Sequence, residues 1–164
     1  MNSHILGSPS NLPTSDNGLP TLPTTNGYTF PPEWAPHEAT WLTWPHKEAS
    51  WPGKIAAIYP KYAEFIKYLA LSEKVRINVR DEEMKAFALK HIQDAGANLS
   101  QIEFYFNPSN DAWCRDHGPA FLVNPNAEQK KVIVDWNFNA WGGKYPPFDL
   151  DDVIPTKIGA YFNL

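Results

Sequence analysis

Hydrophobic positions along the chain alternate between two spacings, one typical of helices and one typical of strands. Between residues 55 and 69, apolar side chains recur at intervals of three and four, which predicts a helix with one apolar face. Pro60 lies inside this pattern, so we expect it either to begin the regular helix or to kink it. Residues 74–79 alternate apolar and polar side chains, which predicts a half-buried strand.

The rest of the chain adds a second helix, several short strands and a final helix. Asp81 is a good N-cap, and Glu82 and Glu83 suit the first turn of a helix that we expect to end at Gly96. Short apolar runs predict further strands at residues 41–44, 101–106, 120–124 and 131–136. A short helix is expected from about Asp151. This order favours an α/β fold built from ββαβ-like units.

The first part of the chain lacks these patterns. Residues 1–27 are rich in Pro, Ser, Thr and Asn and predict a disordered leader, whereas residues 28–164 predict one folded domain. The leader has no basic segment followed by an apolar run, so a signal peptide is not expected. No apolar stretch approaches the roughly 20 residues that cross a bilayer. Because the chain has a single cysteine, we expect a cytoplasmic location.

Composition narrows the classes of partner. The chain has 164 residues, of which 43% are hydrophobic and 20% charged, as in globular domains. Its formal net charge of -4 argues against nucleic acid as a partner. With seven tryptophans and sixteen prolines the chain is unusual, and we expect most of the indole rings to serve packing.

The densest group of chemically capable side chains lies at residues 110–119, in a predicted loop between two strands. Asp116 beside Trp113 would suit a planar cation, because a carboxylate accepts paired N–H bonds and an aromatic ring adds a cation–π contact. Alternatively, Asp111, Arg115 and Asp116 would form a salt-bridge network that only fixes the loop. The residues alone leave both interpretations open.

Cys114 and His117 suggest a nucleophile pair or a metal site, but neither is favoured. Zinc would need further Cys or His ligands at suitable spacing, and a lone cysteine is often inert packing. His37 and His46 are expected to be structural. The glycines of residues 135–143 follow no phosphate-binding pattern and more plausibly permit close backbone approach.

Three blocks resemble the agmatine deiminase / bacterial-type peptidylarginine deiminase family. They are residues 31–46 together with Trp51, residues 110–119 and residues 134–143, in the family's order. The resemblance implies a pseudo-five-fold α/β propeller of ββαβ modules, of which this chain would supply about the first two. It also implies hydrolysis of agmatine to N-carbamoylputrescine and ammonia, a step of putrescine and polyamine biosynthesis. In that family a cysteine thiolate attacks the guanidinium carbon, without a metal or an organic cofactor.

By the same resemblance, Asp116 corresponds to the guanidinium-binding aspartate and Trp113 to the tryptophan that packs against substrate. Trp141 lies in the segment that lines the pocket, and Asp111 and Arg115 shape the loop. The family places its catalytic cysteine and histidine in a second half that these 164 residues do not contain. We therefore assign no catalytic residue in this chain and expect an incomplete enzyme.

Other functions stay open at this stage. The alternatives are a peptidylarginine deiminase of the same family, a non-enzymatic tryptophan-rich module that binds a ligand, and a hydrolase that uses Cys114 with His117. The expected partner is a small guanidinium substrate, agmatine, and neither nucleic acid nor membrane. A homo-oligomer of the full-length enzyme is compatible with the sequence. An unpaired half of a propeller would also expose strand edges, so we expect aggregation or dependence on a partner chain.

Overall fold

Two three-stranded sheets and two long helices dominate the fold. The computed structural model describes residues 22–164 and the backbone of residues 4–5. The strands are β1 His4–Ile5, β2 Ala39–Thr43, β3 Lys74–Val79, β4 Ile102–Phe106, β5 Ala120–Val123 and β6 Lys131–Asp135. The helices are α1 Ile55–Leu69, α2 Glu82–Asp94, α3 Cys114–His117, α4 Ala140–Gly143, α5 Asp149–Asp152 and α6 Ile154–Phe162. Short 3-10 turns lie at Pro23–Asn26, Glu48–Ser50 and Leu99–Gln101.

The first sheet is parallel, in the order β2-β3-β4, and each connection passes through a helix. Helices α1 and α2 pack on this sheet and against each other. The largest core lies between them and includes Ile66, Val75, Ile77, Ala88 and Ile92, none of which is measurably exposed. Helices α1 and α2 cover one face of β3, and on the other face Arg76 packs against Phe162 of α6. Strand β3 is therefore buried at five of its six positions, so the prediction of a half-buried strand is wrong.

Three polar side chains lie near the carboxyl ends of the three parallel strands, at the same edge of the sheet. Asn78 Nδ2 donates to Thr43 Oγ1 at 3.2 Å, and Asn107 Nδ2 donates to Asn78 Oδ1 at 2.9 Å. All three side chains are buried. Because the strands are parallel, this ladder of amides and one hydroxyl marks the carboxyl edge of the sheet, from which the chain leaves β4 towards the residues at 110–119.

The second sheet is antiparallel, in the order β1-β6-β5, and α6 packs against β6. Its cores are smaller and centre on Tyr28, Leu122 and Val132 on one side and on Ile133 and Ile158 on the other. Ion pairs also link the two sheets, because Glu38 accepts from both Arg76 on β3 and Lys131 on β6.

Several sequence predictions are confirmed. The α/β class is correct, the strand at 74–79 has the expected bounds, and Asp81 caps α2 by accepting from Met84 N at 2.8 Å. Gly96 follows the end of α2 with a φ of 74°, in the left-handed region. The propeller architecture stays a prediction. Within residues 22–164, no helix combines the length and the hydropathy that a membrane span requires.

Other predictions need correction. Helix α1 begins five residues before Pro60, so this proline does not start it. The single final helix is two helices, α5 and α6, because Pro155 favours a new helix start. The predicted disordered leader, residues 1–27, lies mainly outside the described residues. The described parts of this segment are β1, which pairs with β6, and a 3-10 turn at Pro23–Asn26 that Gly27 closes. The division into a leader and a folded domain stays a prediction.

Candidate functional site

The loop after β4 carries a short helical turn that presents Trp113 and Asp116. Asp116 N donates to Trp113 O at 2.9 Å, and Gly118 N donates to Cys114 O at 3.0 Å. A Cβ at position 118 would lie 2.5 Å from the Cys114 carbonyl oxygen, so only glycine fits where the turn closes. The local sequence therefore fixes a tight turn with Asp116 one step from its end.

Asp116 is exposed, and its carboxylate has no hydrogen-bond or ion-pair partner within residues 22–164. Arg115 pairs instead with Glu33, and both of those side chains are largely exposed. The alternative of a salt-bridge network is thus wrong for Arg115 and Asp116. No described residue therefore occupies the acceptor oxygens of the Asp116 carboxylate.

Trp113 and Trp141 meet above the loops. Their ring centroids lie 5.8 Å apart at an interplanar angle of 88°, an edge-to-face contact. Phe138 and Tyr145 contact the Trp141 ring in the same manner, at 5.9 and 5.8 Å. About half of each indole surface stays accessible, 45% for Trp113 and 51% for Trp141. The structure therefore brings together the two tryptophans that the sequence singled out.

Trp141 is held by an unusual backbone. Four consecutive residues, Ala140 to Gly143, have φ values of 48°, 58°, 79° and 79°, so α4 is a single left-handed turn. Asn139 accepts from Gly142 N through its side chain at 2.9 Å and supports the turn. A left-handed conformation costs roughly 1–2 kcal/mol for each non-glycine residue. Strain of this kind at an exposed aromatic residue is typical of functional sites.

A shallow depression lies beside these rings and has acids at its base. It is lined by Lys47, Asp111, Trp113, Phe138, Ala140, Trp141, Tyr145, Pro147 and Asp151. Asp116 is not among the lining residues, so its carboxylate lies outside the depression that Trp113 and Trp141 share. The Asp116 side chain is on the exposed surface of the same helical turn as Trp113.

Asp111 is committed to structure. It is buried, accepts from the hydroxyl of Ser50 and from Ala112 N, and lies 3.5 Å from the Lys47 ammonium. These contacts agree with the loop-shaping role that the family resemblance implies for this residue. That role and the substrate-binding roles of Asp116, Trp113 and Trp141 stay predictions.

Sequence reasoning missed three residues that connect the loops. Asn110, Asp151 and Asp152 join the turn at 110–117 to the segment that carries Trp141. Asn110 belongs to a block that resembles the family, yet its type gave it no evident role. Asp151 marked only the expected start of a helix, and the residues to which Asp151 and Asp152 bond lie in other segments of the chain.

Cys114 and His117 are poorly suited to nucleophilic chemistry. Burial raises the pKa of the Cys114 thiol to about 12, and the sulfur donates to Trp41 O at 3.2 Å. Burial also lowers the pKa of His117 to about 4, and among residues 22–164 neither of its ring nitrogens has a hydrogen-bond partner. The thiol therefore stays protonated near neutral pH, and the imidazole stays neutral. Within the described part of the chain, no group of three or more His, Cys, Asp or Glu could hold a metal ion.

The sequence profile of the Porphyromonas-type peptidyl-arginine deiminase family matches residues 29–164. The chain belongs to this family. Among family relatives, the agmatine deiminase of Stutzerimonas stutzeri is 35% identical over 144 residues, which is 85% of this chain and 37% of that protein. The agmatine deiminase of Ectopseudomonas mendocina is 34% identical over the same shares of the two chains.

Solved structures of agmatine deiminases have a similar fold. The Enterococcus faecalis enzyme matches with a TM-score of 0.73 and 28% identity, over 87% of this chain and 38% of that one. The C. jejuni enzyme with substrate bound matches with a TM-score of 0.66 and 26% identity, over 81% of this chain and 36% of that one. This chain thus spans less than two-fifths of the length of these relatives.

Proposed function

We propose that this chain forms the guanidinium-holding part of an agmatine deiminase, which hydrolyses agmatine to N-carbamoylputrescine and ammonia. The observation that carries the proposal is the Asp116 carboxylate, exposed and unpaired within residues 22–164, on the same helical turn as Trp113. The names of the relatives at 34–35% identity support agmatine as the substrate. The product is one hydrolysis away from putrescine, so we place the reaction in putrescine biosynthesis.

The roles follow from the chemistry of a flat, delocalised cation. An ionised carboxylate accepts two parallel N–H bonds from a guanidinium and fixes its plane. The indole of Trp113 offers a face against which that plane can stack, and the edge contact with Trp141 holds the indole in place. Positioning the guanidinium carbon in this way lowers the entropy cost of a later attack by a thiolate.

The attacking thiolate would not be Cys114. Its raised pKa and its donation to a backbone carbonyl leave it protonated, and His117 is too deeply buried to exchange protons with a ligand. In the proposed reaction, the nucleophile and the proton-moving histidine come from residues outside these 164, within a pseudo-five-fold propeller. We therefore expect no N-carbamoylputrescine from agmatine and the pure 164-residue protein. Turnover by that protein would contradict this part of the proposal.

Binding can be tested without turnover. One carboxylate and one aromatic face predict a dissociation constant on the order of 1 mM for agmatine, measured by titration of tryptophan fluorescence. Asp116→Asn should weaken binding about tenfold, since it removes the charge that pairs with the guanidinium. Asp94→Asn is a matched control on the exposed side of α2 and should bind as the wild type does.

A comparison of agmatine with putrescine and with a blocked arginine amide identifies which chemical group the protein recognises. Putrescine has the same chain and amine as agmatine but no guanidinium, so it should bind much more weakly. Equal affinity for putrescine, or an unaffected Asp116→Asn variant, would rule out guanidinium recognition by Asp116. A blocked arginine amide that binds more tightly than agmatine would favour the alternative, a peptidyl-arginine deiminase, which the name of the family profile suggests.

A non-enzymatic tryptophan-rich binding module has some support of its own. Trp34 is 88% exposed and Trp136 is 62% exposed, unlike Trp44, which is buried. If these surface rings bind the ligand, Trp34→Ala or Trp136→Ala should abolish the fluorescence response while Asp116→Asn leaves it unchanged. We place agmatine binding first because Asp116 and Trp113 share one helical turn.

A further inference from the structure

Helix α5 lies between the two loops that carry Trp113 and Trp141, and adjacent acids on it bond to both loops. Asp151 Oδ1 accepts from Asn110 N at 2.7 Å and from Asp111 N at 3.3 Å. Asp152 Oδ1 accepts from Phe138 N at 2.6 Å. One helical turn thus holds the backbone of two segments that are far apart in sequence.

The contact with the first loop is reciprocal. Asn110 Oδ1 accepts from Leu150 N at 2.8 Å and from Asp151 N at 3.2 Å. These amides lie in the first turn of α5, where backbone N–H groups have no partner within the helix. Asn110 therefore caps α5 while Asp151 caps the loop, so neither segment can shift without breaking bonds at the other. Asp151 is 2% exposed, so these bonds are buried.

The spacing from each anchor to its tryptophan is the same. Asn110 lies three residues before Trp113, and Phe138 lies three residues before Trp141. Three residues span at most roughly 10 Å, so the backbone of each tryptophan stays within that distance of the amide that its acid holds. A carboxylate that merely capped its own helix would bond N–H groups of α5. The carboxylates of Asp151 and Asp152 instead bond outward to the other two segments.

We propose that Asp151 and Asp152 are positioning residues, which set the contact between Trp113 and Trp141 and through it the affinity for a guanidinium ligand. The part that concerns affinity rests on the proposed function, whereas the part that concerns ring geometry does not. Neither acid touches the ligand in this proposal. Both act through the amides that they hold, and each controls one side of the aromatic pair.

The test uses the 164-residue protein and three matched substitutions on one helix. Asp151→Ala and Asp152→Ala should each weaken agmatine binding about tenfold, the effect of losing one hydrogen bond to a charged group. Asp149→Ala is the control, because Asp149 is exposed and makes only a 3.4 Å contact with the Asn110 side chain. It should leave binding unchanged.

The ring contact is read separately by circular dichroism. We define the pair signal as the near-ultraviolet circular dichroism spectrum of the wild type minus that of Trp141→Phe. We expect this signal to be lost in both alanine variants and kept in Asp149→Ala. Asp151→Asn keeps an oxygen acceptor at the same position, so it should restore the signal that Asp151→Ala loses. Far-ultraviolet spectra identify any variant that fails to fold.

The outcomes separate the two proposals. If the pair signal survives in Asp151→Ala and Asp152→Ala, the positioning role is overturned, whatever the affinities are. If Asp151→Ala does not fold, Asp152→Ala carries the test alone: loss of its pair signal supports the positioning role, and survival of the signal overturns it. If the wild type binds no agmatine but the pair signal follows the pattern above, the proposed function fails and the positioning of the rings stands.

Discussion

Two regions of the molecule combine carboxylates with aromatic residues. One holds the guanidinium of Arg76, and we propose that the other binds the guanidinium of a ligand. The Arg76 guanidinium donates to Glu38 at 2.8 Å and to Glu103 at 2.9 Å. It also lies 4.6 Å from the ring centroid of Phe162 and 5.8 Å from that of Trp41. We call these five residues the Arg76 cage. The other region has Asp116 with Trp113 and Trp141.

The difference lies in burial and in the number of acids. Arg76 is 9% exposed and has two carboxylate partners, so its cation is a permanent part of the structure. Burial disfavours the charged form of Arg76, but the hydrogen bonds that Arg76 donates to Glu103 and Glu38 outweigh this effect and raise its pKa. Asp116 is a single exposed carboxylate. One exposed acid on the same helical turn as a tryptophan would suit a ligand that enters and leaves, whereas two acids around a buried cation suit a fixed link.

The largest loss of stability should come from removing the guanidinium of the Arg76 cage. Arg76→Ala removes a buried cation together with its charge-assisted hydrogen bonds to Glu38 and Glu103 and its ring contacts, so the free energy of unfolding should fall by about 3 kcal/mol. Glu103 keeps Lys74 as an ion-pair partner and Glu38 keeps Lys131, so neither acid is left without a cation. Urea denaturation measures this change. Arg80→Ala, in a fully exposed ion pair with Asp81, should change little. Equal losses for the two variants would mean that the cage is no stronger than a surface pair.

Acid should weaken the two regions in different pH windows. The pKa of His117, beside Asp116, is lowered from 6.5 to about 4, so the unfolded chain binds the proton more readily. The contribution of neutral His117 to the stability of the folded protein is complete above pH 6.5 and is lost as the pH falls towards 4. By about pH 5 the loss should reach about 2 kcal/mol. Because bonds from Lys131 and Arg76 lower the pKa of Glu38 from 4.5 to about 2, the cage should weaken only in that lower window.

Urea denaturation at several pH values checks these windows. His117→Asn should remove the upper step, whatever its stability at neutral pH. His37→Asn, at an exposed histidine, should keep it. A single step below pH 4.5 in the wild type would show that His117 does not titrate as its burial predicts.

A smaller difference in stability, between two substitutions of Trp141, should distinguish backbone strain at this residue from the contacts of its ring. Trp141→Gly and Trp141→Ala both lose the rings, but glycine adopts a φ of 58° without strain. Trp141→Gly should therefore be more stable than Trp141→Ala by about 1 kcal/mol. At Trp136, which is exposed and has no positive φ, the order should reverse because glycine is then the more flexible residue. Thermal melts of the four variants provide the measurement, and the same order at both positions would contradict a strained turn.

The smallest change in stability should come from a substitution of Asp116, the exposed acid. Asp116→Asn should change the free energy of unfolding by no more than about 0.5 kcal/mol, because the carboxylate has no partner within residues 22–164. Calorimetry of the ligand-free protein measures it. A large loss would show that Asp116 belongs to the framework of the loop, as the carboxylates of the Arg76 cage belong to theirs.

Local rules predicted the elements that depend on neighbours in sequence. The alternation at residues 74–79 indicated β3, and the Asp81 cap indicated the start of α2, because each signal lies within a few residues of its effect. The family resemblance directed attention to Trp113 and Trp141, whose rings are in contact.

Long-range contacts account for the rest. Asp151 bonds to an amide 41 residues earlier, so no window along the chain could reveal its role. The glycines at 142 and 143 suggested a close approach of the backbone, but not that Ala140 and Trp141 would adopt positive φ values, which the surrounding structure imposes on them. The separation of Asp116 from the depression also follows from how the loops pack.

The ladder of Thr43, Asn78 and Asn107 has a consequence for strand alignment during folding. A slip of β3 by one residue would replace Asn78 with Ile77 or Val79 at the edge and would bury its amide among apolar side chains without a partner. A buried polar group left in that way costs roughly 1–3 kcal/mol. The ladder therefore selects one register among the apolar alternatives, and it fixes the point from which the chain departs towards the tryptophans.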